Sequence, residues 1–140
     1  MTLILKKIKN MLKIYYKICV DAIEKSKTVN NGIWKFNTIM FMSAFLSLIF
    51  MSIIILLKSF FPEYINFTFF HDNYGKKSLD VKLEAIVLYL VPSLIMNYFL
   101  IIHNKRYEKL LHNYKPNNGK YMIRFMLFSI ILTMVSIFIS

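Results

Sequence analysis

FNTIMFMSAFLSLIFMSIIILL, residues 36–57, has no charged side chain and is bracketed by Lys35 and Lys58. As a helix it is about 33 Å long, enough to cross a hydrocarbon core of about 30 Å. Thirteen of its residues are Leu, Ile or Phe. At roughly −0.3 to −0.6 kcal/mol each they contribute on the order of −4 to −8 kcal/mol to insertion, which the scattered Ser, Thr and Asn cannot cancel. A transmembrane helix is therefore predicted here.

Two further apolar runs follow. AIVLYLVPSLIMNYFLII, residues 85–102, contains Pro92 and Asn97 and is near the lower length limit for a span. Proline is tolerated in a membrane helix when a neighbouring helix or a hydroxyl such as Ser93 satisfies the freed carbonyl, so a kink is predicted between Leu88 and Pro92. YMIRFMLFSIILTMVSIFIS, residues 121–140, is a third span with Arg124 one turn from its start. From there a guanidinium reaches the headgroups, whereas mid-bilayer it would cost about 2.5–3.5 kcal/mol.

The whole composition agrees with a membrane chain. Of its 140 residues 57% are hydrophobic and 16% aromatic, and the mean hydropathy is +0.51. A net charge of +11 would suggest nucleic acid on a polar surface, but here the basic residues cluster between apolar runs. No nucleic-acid partner is expected. A single cysteine, Cys19, excludes an internal disulfide framework and reads as a buried thiol.

Retained Lys and Arg set the orientation of such a chain. Eight precede the first span, from Lys6 to Lys35. The segment between the first two spans has four, offset by Glu63, Asp72, Asp80 and Glu84, and the segment HNKRYEKLLHNYKPNNGK, residues 103–120, has five. Three spans require the N-terminus and residues 103–120 to share a side. Both are basic, so both are expected in the cytoplasm, with the C-terminus outside.

Before the first span, residues 3–27 alternate with helical period. Lys6, Asn10, Lys13, Lys17, Asp21 and Glu24 fall on one face, and Ile8, Met11, Leu12, Tyr15, Ile18, Cys19 and Ala22 on the other. Charges interrupt each apolar run, so a secretory signal is not expected. Lysines contribute about 1 kcal/mol each near an anionic leaflet, and Lys6, Lys7, Lys13 and Lys17, with Arg124, are the candidate headgroup contacts. The same helix could instead pack on the cytoplasmic end of its own bundle. VNNG, residues 29–32, then turns the chain, and Trp34 beside Lys35 marks an interface.

The segment after the first span holds Phe67, Phe69, Phe70 and Tyr74 and is the first choice for a partner-binding surface. INFTFF within it reads as a short strand or a segment folded back on the membrane, and Asn66, Phe67 and Thr68 form an N-glycosylation triplet. A Lys, Ile, Asn and Phe bias fits an AT-rich bacterial genome, where that triplet carries no meaning. HNKRYEKLLHNY, residues 103–114, is a good helix former and is expected to continue the second span by about two turns into the cytoplasm. KPNNG then makes a turn.

Few groups suggest chemistry. Arg106 and His112, in RYEKLLH, have a spacing similar to the Arg…His motif of HEPN-type ribonucleases, in which both residues act on the scissile phosphate. Tyr107 departs from the polar residue usual in that family. His71, His103 and His112 are not spaced to chelate a metal from one helix, and no Asp or Glu lies inside a span, as a proton-coupled carrier would need. No enzymatic activity, cofactor or metal is predicted.

Polar residues do recur at helical spacing within the spans: Ser43 and Ser47, then Tyr89, Ser93 and Asn97, then Ser129, Thr133 and Ser136. In lipid such stripes mark faces where helices meet, or the lining of a pore in an oligomer. The sequence therefore predicts an all-α membrane protein: an amphipathic segment over residues 1–35, and a transmembrane domain over 36–140 with spans at 36–57, 85–102 and 121–140. In size, span count and lack of catalytic groups it resembles the small polytopic immunity proteins that protect bacteria from pore-forming toxins. That resemblance implies a toxin or another membrane protein as partner, alongside an anionic bilayer. The alternative is a membrane-depolarising effector that acts as a homo-oligomer, similar in span number to holins.

Overall fold

A computed structural model describes residues 2–61 and 86–139, with side chains from residue 4 onwards. The described residues are helical and contain no strand. Helix α1 is Thr2–Val29 and α2 is Trp34–Phe60. Between them Gly32 donates its N–H to Asn30 Oδ1 at 3.1 Å, a local turn that the VNNG residues favour.

Helix α3, residues 86–102, changes type along its length. It is a π-helix over Ile86–Leu90, an α-helix over Val91–Asn97 and a π-helix again over Tyr98–Ile102. Pro92 has no N–H to give, so the α pattern cannot run through it unbroken. Ser93 Oγ donates to the Tyr89 carbonyl at 2.7 Å in the same turn.

The second span does not continue straight into the next segment, which corrects the expectation for residues 103–114. His103 takes an extended ψ of 133°, and Asn104 and Lys105 both have left-handed φ, 53° and 54°. Only then does α4, Arg106–Asn113, begin. Each left-handed residue costs about 1–2 kcal/mol, less for Asn. The fold-back offsets this by burying Leu110 and packing Tyr107 and Leu111 against the core. A straight extension would leave that apolar side in water.

Helix α5 is Lys120–Ile139. Three helical stretches are long and apolar enough to cross a membrane: Trp34–Phe60, Ile86–Asn113 with its break at 103–105, and Lys120–Ile139.

Cross-links between helices fix their directions. Ser52 Oγ lies 3.0 Å from Thr133 Oγ1 and Ser59 Oγ 3.4 Å from the Ile139 carbonyl, so α2 and α5 run parallel. Asn97 bonds Ser43 while Tyr107 stacks edge-on against Trp34, so α3 runs antiparallel to α2. Helix α2 is central and packs on α1, α3 and α5. Three spans crossing in succession need this alternation.

Helix α1 settles between the ends of the others, and its two halves differ. Residues 18–23 are all buried, because α2, α4 and α5 pack on it together. Ile18, Val20 and Ile23 each contribute about 1.5–3 kcal/mol wherever water is the alternative. Residues 4–14 are exposed on every side, including Ile4, Leu5, Ile8 and Met11. The buried part of α1, α4 and the starts of α2 and α5 thus gather at one end of the bundle, and with them Lys27, Lys35, Arg106 and Lys120.

Candidate functional site: buried polar links and a basic end

The most organised chemistry is a set of polar links between helices. Tyr15 of α1 donates its phenol O–H to Asn97 Oδ1 of α3. Asn97 Nδ2 donates to Ser43 Oγ of α2 at 3.0 Å, and Ser43 Oγ lies 3.3 Å from the Ser93 carbonyl it donates to. Ser43, Ser93 and Asn97 are fully buried. Tyr15 also meets Phe125 of α5 edge-on, at 6.3 Å between ring centroids. One tyrosine therefore ties α1 to both flanking helices. Burial raises its phenol pKa, with the neighbouring Cys19 adding to the effect, so it stays a neutral donor.

A second link joins α2 to α5. Ser52 Oγ donates to the Leu48 carbonyl at 2.7 Å and also contacts Thr133. Ser129, Thr133 and Ser136 donate to the carbonyls of Phe125, Ser129 and Thr133, each at 2.8 Å, and Ser129 and Ser136 are fully buried. Ser47 departs from the proposed stripe. It is only partly buried and its hydroxyl turns back to the Ala44 carbonyl of its own helix at 2.7 Å.

Ser52 was missed because it lies nine residues from Ser43. At 100° per residue these two point to opposite sides of α2. A central helix has two interfaces, and one polar stripe marks only one of them.

Asp21 is the other correction. The sequence puts it on the solvated face of α1, yet it is fully buried. Its Oδ1 accepts the N–H of Asn117 and its Oδ2 the N–H of Tyr121, the latter at 2.8 Å. The first bond inside α5 runs from Ile123 to the Gly119 carbonyl, so Gly119 occupies the cap position with a left-handed φ of 79°. Glycine has no side chain to bind the free N–H groups of the first turn. Asp21 supplies that carboxylate from α1, where the helix dipole also favours it. No local sequence signal connects two residues 100 positions apart.

Around these links lie cations and aromatic rings. Lys27 Nζ is 4.7 Å from the Trp34 ring centroid, and Lys35 Nζ is 5.1 Å from that of Tyr107. Lys6, Lys7, Lys13 and Arg124 are exposed, as is Lys17, whose Nζ is 5.8 Å from the Tyr121 ring.

Arg106 and His112 do not converge on a common point: Arg106 Nη1 donates to the Phe99 carbonyl at 3.2 Å, and His112 Nδ1 is 3.4 Å from Asn113 Oδ1. Among the described residues no three of His, Cys, Asp and Glu come together as metal ligands. Phe67, Phe69, Phe70 and Tyr74 lie outside the described residues.

No family model matches the chain, and neither a curated protein nor a solved structure does.

Proposed function

We propose that the chain is a multi-pass protein of the bacterial cytoplasmic membrane that acts through protein–protein contacts within the bilayer, without catalysis. The immunity type of action, in which a small membrane protein intercepts a membrane-active toxin, fits this reading. Helix α1, residues 103–120 and the starts of α2 and α5 are assigned to the cytoplasmic side, and the C-terminus to the outside.

The observation that favours contact over conduction is the fate of the polar side chains. Ser43, Ser52, Ser93, Asn97, Ser129 and Ser136 are buried and hydrogen-bonded within one chain. Outward faces carry apolar groups instead, among them Ile53, Val87, Ile95, Phe128, Ile131 and Phe138. A water-filled pore made by an oligomer would need polar groups turned towards its lumen. To supply them, these helices would have to rotate and break the bonds between helices, from Asn97 to Ser43, from Ser43 to the Ser93 carbonyl and from Ser52 to Thr133.

Expression of the chain alone, with the membrane potential followed by a voltage-sensitive dye, separates the two readings. Unchanged potential together with protection against one pore-forming toxin is the expected outcome. Collapse of the potential would favour the effector. Replacing Phe67, Phe69 and Phe70 with Ser is expected to leave insertion intact and abolish partner binding, as read by co-purification with the toxin. Undiminished co-purification would remove that segment as the contact surface.

A further inference from the structure

Where α3 breaks into α4, helix α1 passes by and closes one side of a groove of about 200 Å³. Arg106, Lys109 and Asn113 form its polar wall, and their spacing puts them on one face of α4. Tyr16 of α1 and Tyr114 also line it, 6.0 Å apart between ring centroids. Leu100, in the last turn of α3, supplies the apolar end. No carboxylate lines the groove: Glu108 falls on another side of α4.

Arg106 is held in place. Its Nη1 bond to the Phe99 carbonyl uses one of five guanidinium donors and fixes the fork beside the end of the span. The others are left to meet a planar or tetrahedral oxyanion. Lys109, one turn on, is exposed and adds a second positive charge. The left-handed pair Asn104 and Lys105 creates this corner, because it turns the Arg106 face of α4 back towards α1.

We propose that this groove binds the phosphate headgroup of an anionic membrane phospholipid, with headgroup oxygens on Arg106 and Lys109 and the first acyl carbons against Leu100. A free phosphate would gain nothing from a leucine and two ring faces. A lipid matches both halves of the lining, since tyrosine has an apolar body and a polar tip. The site is distinct from the exposed Lys6, Lys7, Lys13 and Lys17 of α1. This inference rests on the membrane reading proposed above.

Native mass spectrometry of the chain in neutral detergent tests it, with phosphatidylglycerol and phosphatidylcholine titrated separately. The expected result is preferential retention of phosphatidylglycerol. Arg106→Gln and Lys109→Gln should each lower that retention about tenfold, whereas Lys58→Gln, an exposed lysine in the last turn of α2, should change it less than twofold. Since Arg106 also ties α4 to α3, Lys109→Gln separates loss of the site from loss of shape.

Millimolar inorganic phosphate should fail to displace the lipid. Displacement would overturn the lipid assignment in favour of a free anion. Equal retention of both lipids, or unchanged retention in the two groove variants, would overturn the site. The two proposals fail differently: a chain that dissolves without detergent defeats the membrane reading, and one that needs detergent but does not discriminate between lipids defeats this inference alone.

Discussion

Asp21 accepts two backbone N–H bonds at the start of α5 from a fully buried position. Asp21→Ala leaves those donors without an acceptor, and a loss of about 1–3 kcal/mol is expected. Asp21→Asn keeps one acceptor oxygen and should lose less. Denaturation in detergent micelles measures both, and an unchanged midpoint for the alanine variant would show that water caps the helix equally well. Cys19 offers a second test at this scale. Burial pushes its thiol above the ordinary value of 9.0, and the side chain is fully enclosed. Maleimide at pH 8 should therefore modify it far more slowly in the folded chain than after denaturation. The sequence offers good notice of Cys19, because a cysteine on the apolar face of an amphipathic helix has an obvious place to go. It gave none of Asp21, because a charge beside Lys17 and Glu24 reads as solvated until a distant helix start is known to need it.

Among the elements, α1 has two unlike halves. Residues 15–23 are wedged among α2, α4 and α5, whereas residues 4–14 project with an apolar side that the described residues leave uncovered. The periodicity of this helix was legible, but not where its packing stops, because the apolar face runs on unbroken from Ile4 to Ala22. Lys6, Lys9 and Lys13 lie opposite that face, as they would on a helix resting in an anionic interface. Hydrogen exchange should show residues 15–23 protected in detergent and in bilayers alike. Residues 4–14 should gain protection only in bilayers containing phosphatidylglycerol. Equal exchange of the two halves in detergent would contradict this division. The break at residues 103–105 was hidden for a related reason: RYEKLLHN is a good helix former by itself, and its direction is set by the burial of Leu110 rather than by propensity.

For the molecule as a whole, the three apolar helices were plain from apolar length, and their alternating directions are fixed by the bonds from Ser43, Ser52 and Ser59 with the Trp34–Tyr107 contact. Lys27, Lys35, Arg106 and Lys120 lie at one end of this bundle, where α4 meets the starts of α2 and α5. Their cost of crossing a membrane, set against the gain of burying three apolar runs in lipid, is what the proposed orientation depends on. Lys120 is exposed at that end, directly at the start of α5. Lys120→Cys in a Cys19→Ser chain, treated in intact cells with a membrane-impermeant maleimide, tests the orientation most directly. The account expects no labelling until the membrane is permeabilised, and labelling of position 120 from outside intact cells would contradict it.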